Sequence, residues 1–196
     1  MKVVWNNEEC LLKSGNVDLL LQEITARLAS RNEVIQSIQI NDEFSDTDWE
    51  EAVSREFPTI RTLKIDTIAV QKLIDETLLS LQEYTKRAGI AVGDLANKFY
   101  SLPDDETWST FKDLLAGLEW LMGATVSIGR VRSRSEFVSF HERSSQMLKS
   151  ILEHLENNDY TAIADILRYE VASMLEEFHQ SVSAIIDNEV VRHDLN

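Results

Sequence analysis

An imidazole, two hydroxyls and a carboxylate stand at His141, Ser144, Ser145 and Glu170. These are the residue types of general acid–base chemistry. Helical spacing puts His141 and Ser144 on one apolar stripe. A connection at 157–159 sets His141 opposite the region of Met174 and Ser145 opposite Glu170, so a polar cluster would interrupt a helical seam. The plainer reading is a buried polar network that holds helix register, as polar seam positions do in coiled coils, and it is preferred because no pocket follows from the sequence.

Metal chemistry finds less support. Carboxylate-bridged dimetal sites need two Glu-x-x-His pairs. Glu176 and His179 supply one, but the residues three before His141, His154 and His193 are Val138, Ile151 and Val190. Asp46, Asp48 and Glu50 imitate a calcium loop whose glycine position holds Glu51 and whose final glutamate position holds Phe57. They read as a helix start, where acids suit the dipole. Cys10 has no histidine near it, and no nucleophile elbow, Walker loop or dinucleotide fingerprint occurs. No metal or cofactor is expected.

The remaining candidate is "GLEWLMGATVSIGRVRSR", residues 117–134. Arg130, Arg132 and Arg134 are the densest basic cluster in an acidic chain and are expected to grip an acidic segment, either of this chain (Asp42 to Glu51) or of a partner. The glycines fall six apart, so Gly117 and Gly123 do not share a helix face, and a glycine groove is excluded. Gly129 is expected to end the helix, with Ser133 and Glu136 boxing the next start. Trp120 lies off the main stripe and suits a second packing or partner surface.

The elements that must position these residues fall into two textures. Residues 2–5 and 9–13 read as short strands around an Asn-Asn turn. A helix follows from Val17, with Asn16 as cap. Residues 33–41 form a strand with Val34, Ile38 and Ile40 on one face. A helix over 47–57 starts with Thr47 and Glu50 at capping-box spacing and stops at Pro58. Residues 59–66 form the last strand.

From Thr67 the period is helical. Gly89 and Gly93 are expected to interrupt the first helix, and "SLPDDE" to end its continuation. Trp108, Phe111, Leu115, Leu118, Met122 and Thr125 then line one helix, widened by Leu114 and Leu121. Phe137, His141, Ser144, Leu148, Ile151 and Leu155 line the next. The last helix reaches ~30 residues, or ~45 Å, and Val182, Ile185, Ile186 and Val190 near its end need cover. Two covers are open: the N-terminal domain, or a second copy giving a homodimer through this helix. The second is favoured.

The expected class is therefore α+β: a small domain over 1–66, then an antiparallel helical bundle of four to five helices over 67–196. The order strand, strand, helix, strand, short helix, strand resembles the β-grasp, or ubiquitin-like, topology. That resemblance is topological, covers residues 1–66, and implies a docking module.

Composition bounds the function. With 19 basic and 34 acidic residues the net charge is −15, which repels phosphate backbones and anionic membranes. Neither nucleic acid nor membrane is an expected partner, and a protein with a basic surface is. One cysteine permits no internal disulfide and fits the cytoplasm, and no signal peptide or long apolar run is seen. The expectation is a non-enzymatic interaction protein: an adaptor, a regulator or a chaperone-like protein, similar in composition to secretion and flagellar export chaperones. The alternative is a small bundle enzyme or ligand-binding protein that uses the His141 and Glu170 neighbourhood or the arginine turn.

Overall fold

A computed structural model describes residues 1–12 and 15–190. The chain is α+β, with a five-stranded mixed sheet at its N-terminus and six helices. It divides into two compact units, Met1–Leu73 and Ile74–Asn196. The expected boundary at 66 falls inside a strand: β5 runs through Ala69, and the next helix starts at Val70 with no linker between them.

In the first unit, β1 (Lys2–Trp5) and β2 (Glu8–Cys10) form a hairpin. Asn6 and Asn7 turn it, both with positive φ, which asparagine tolerates best after glycine. Lys13, the end of the expected second strand, lies outside the described residues, as does His193. Helix α1 (Val17–Arg31) begins at Asn16, whose side chain accepts from the Leu19 amide at 2.8 Å. β3 (Glu33–Ile40) and β4 (Glu43–Phe44) follow, then α2 (Trp49–Glu56) and β5 (Thr62–Ala69). β4 was not expected, because two residues carry no period.

The strand order is β2-β1-β5-β3-β4, with β1 and β5 parallel and the other pairs antiparallel. Alternation puts Val3, Trp5, Ile38, Ile40, Leu63 and Ile65 into one core with Leu20 and Ile24 of α1 and Ala52 and Val53 of α2. A bulge between Ile35 and Ser37 reverses the parity of β3. Ile35, rather than the expected Val34, packs on that core. The cap of α2 also differs: Asp48 accepts from the amides of Glu50 and Glu51. Thr47 instead pairs with Ser45.

The second unit is built from α3 (Val70–Tyr100), α4 (Asp105–Val131), α5 (Ser135–Glu156) and α6, residues 160–189. Helix α3 is unbroken. Gly89 and Gly93 do not interrupt it, since neither has positive φ and a helix interior tolerates glycine at a modest cost. Helix α6 is α-helical over Tyr160–Asp165 and Ala172–Glu189, with a π-helical stretch at Ile166–Val171 between them.

Phe99 meets Trp108 and Phe111 edge-on at one level of α3 and α4, and Tyr84 meets Trp120 at another. Between α3 and α6, Gln82 donates to Ser183, and Arg168 to Asn97. Tyr100 donates to Asp165 at 2.5 Å, a bond to a carboxylate that pushes the phenol up to about 12. Phe140 stacks on Phe178 at 4.0 Å between α5 and α6.

The buried positions of α5 are Phe137, Phe140, Ser144, Met147 and Ile151. The expected stripe through His141, Leu148 and Leu155 lies one position round, at the edge of that seam. Val182, Ile185 and Ile186 of α6 are buried within the chain, and Val190 just past its end is half-buried.

Candidate functional site

The arginine stretch is where the structure makes a pocket. Helix α4 does not stop at Gly129. It continues to Val131, with Arg132 as its cap, because nothing there requires positive φ. Helix α5 starts at Ser135, with Arg134 before it and no side-chain cap bond. The expected Ser133–Glu136 box is therefore absent, and the Ser135 hydroxyl itself donates to Glu136. The tight corner splays α4 and α5 over a cavity of about 520 Å³. Val126, Gly129, Phe137 and Val138 supply its apolar lining, and Arg130, Arg134, His141 and Glu142 stand around it.

The three arginines separate into two roles. Arg132 donates to Glu189 of α6 at 2.9 Å, and Arg134 pairs with the same carboxylate. Both pairs are partly buried, which tie the α4–α5 corner to the end of α6. The acid they share is Glu189 of this chain. Asp42 pairs with Lys64 instead. Arg130 is exposed and has no ion pair or hydrogen bond among the described residues. It is the guanidinium left available at the pocket.

The polar cluster does not assemble as expected. Ser144 is buried and donates to the Met174 sulfur at 3.4 Å. The exposed Ser145 hydroxyl bonds back to the His141 carbonyl. Glu170 is exposed and lines a separate surface recess with Arg143, Gln146 and Tyr169.

The reason lies in the phase of α5. Its seam runs through Phe137, Phe140 and Ser144, which turns His141 toward α4 while Glu170 stays at its separate recess. His141 joins the α4–α5 pocket instead. Its Nδ1 is buried and has no hydrogen-bond partner, and an unmet buried polar atom costs about 1–3 kcal/mol. The structure thus brings His141 together with Arg130 and Arg134, and leaves Glu170 elsewhere.

Trp120 is 43% exposed and packs edge-on against Tyr84 at 5.7 Å. Tyr84 reaches across α4 because Gly117 has no side chain: a Cβ there would lie 1.5 Å from the tyrosine oxygen. Burial is the main cause that raises the Tyr84 phenol above its ordinary range, and Asp113 adds to it.

Of the expected metal pair, Glu176 accepts from Gln180, while His179 Nδ1 sits 3.2 Å from both the Thr85 hydroxyl and the Gln82 carbonyl. No group of three or more metal-ligating side chains gathers among the described residues. Helix α4 has the length and composition to cross a membrane, with a mean hydropathy of 1.2 over its best stretch. Its Phe111, Leu114, Leu118 and Leu121 are buried here.

The pocket walls were missed from sequence. Val126 and Val138 are 40% and 58% exposed and fall off the buried stripes of their helices. An apolar residue off the stripe was the one available signal.

Residues 76–181 match a family described as a domain of unknown function, DUF8042, more than half of the chain and all within the second unit. Neither a curated protein nor a solved structure matches.

Proposed function

We infer, for a chain that belongs to the DUF8042 family and carries the matched segment as its helical unit, a non-enzymatic interaction protein acting as an adaptor or regulator in the cytoplasm. The carrying observation is the face at the α4–α5 corner, where Val126 and Val138 stand exposed around an apolar pocket. Exposed aliphatic side chains grouped at a recess mark contact surfaces. The proposed partner is a protein, and the net charge of −15 favours one whose wider surface is basic.

Two finer architectural readings go with this. The four long helices are read as an antiparallel bundle. The first unit is read as a β-grasp, on its strand order and on α1 lying between β2 and β3. A β-grasp unit would add a second docking surface, with Phe44 exposed on edge strand β4.

An enzyme using His141 and Glu170 is disfavoured by their separation into different recesses. The test is affinity capture from the source organism with the natural chain and with Val138→Asp. Val138 is exposed, so circular dichroism should be unchanged while a captured partner is lost. Capture of the same partners by both proteins would remove this face from the reading.

A further inference from the structure

Three features of the α4–α5 pocket point to a ligand of one chemistry. Its volume of about 520 Å³ falls in the range of small-molecule sites, which run ~300–1,000 Å³ and are mainly apolar with a few placed polar groups. Its hydrocarbon lining comes from Val126, Phe137 and Val138. Its free charge is the Arg130 guanidinium, which has no side-chain partner among the described residues. Arg134 also lines the pocket, but its guanidinium is engaged with Glu189, a carboxylate it shares with Arg132.

We propose that this pocket binds an aliphatic carboxylate, with its chain among Val126, Phe137 and Val138 and its carboxylate held by Arg130. A guanidinium offers a carboxylate paired, charge-assisted hydrogen bonds. Glu142 is the opposing charge in the lining. It repels a bound carboxylate, so close contact with Arg130 must supply the affinity.

This inference concerns the isolated chain and stands apart from the partner reading above.

The full chain is titrated with sodium octanoate and, separately, with 1-octanol, and backbone amide shifts are followed by NMR. Octanoate should bind more tightly than octanol, with the largest shifts at Gly129, Val138 and His141. Arg130→Gln should weaken octanoate by about tenfold, the factor expected for one charge-assisted contact, and leave octanol unchanged. Val138→Asp should abolish both, and Glu142→Gln should tighten octanoate alone. Equal binding of acid and alcohol, an unaffected Arg130→Gln variant, shifts that map elsewhere, or no binding of octanoate would each overturn the proposal.

Discussion

Gly117 and Gly123 are the same residue type on the same helix, and they do opposite work. A Cβ at Gly117 would collide with the Tyr84 ring, at 1.5 Å from the oxygen and 2.2 Å from Cζ. A Cβ at Gly123 would meet nothing within 4 Å. Gly117→Ala should therefore displace Tyr84 and destabilise the protein by about 1–3 kcal/mol, the range for overpacking. Gly123→Ala should stabilise it by about 0.5–1 kcal/mol through helix propensity alone. Urea midpoints of the two variants measure both signs. Equal shifts would mean that Tyr84 does not occupy the notch. Sequence showed that these glycines share no face. It did not show which of them receives a side chain, because Tyr84 is 33 residues away on another helix.

At the scale of elements, periodicity located the long helices well and their phases less well. The stripe on α6 through Leu167, Val171, Met174, Phe178 and Val182 is buried as its spacing implies. The stripe on α5 was read one position round, because Phe137, His141, Ser144 and Phe137, Phe140, Ser144 both satisfy helical spacing. Only the partner helices choose between them: Phe140 stacks on Phe178, and His141 lines the pocket with α4.

The π-helical stretch makes a sharper prediction. A π-turn holds one more residue than the α-turn that would replace it. Deleting the exposed Tyr169 should let α6 become regular while both flanks keep their register. Deleting the exposed Ser145 from α5 should rotate half of that helix away from its core. Thermal unfolding should show a much smaller loss for the Tyr169 deletion. A loss as large as that of the Ser145 deletion would mean that the π-turn is itself needed for packing.

For the whole molecule, the matched family segment and the compact second unit coincide closely, at 76–181 within Ile74–Asn196. The second unit owns a core running through Leu81, Leu118, Ile151 and Leu167, all essentially inaccessible, and a domain with its own core can fold alone. A chain of residues 70–196 should give a strongly helical spectrum and one cooperative thermal transition. A broad, non-cooperative melt would make the first unit a requirement for folding.

Sequence by itself determined what depends on neighbours along the chain: where the long helices lie, the Asn-Asn turn, the Asn16 cap, the alternation of β1 and β5, and the absence of known catalytic motifs. These follow from backbone sterics and from periods of two and 3.6 residues. Tertiary structure decided what depends on residues far apart. It paired Arg132 and Arg134 with Glu189, separated His141 from Glu170, set Tyr84 over Gly117, and opened the pocket beside Arg130. Each is a matter of relative phase between helices, and two phases one position apart can satisfy the same period along a chain.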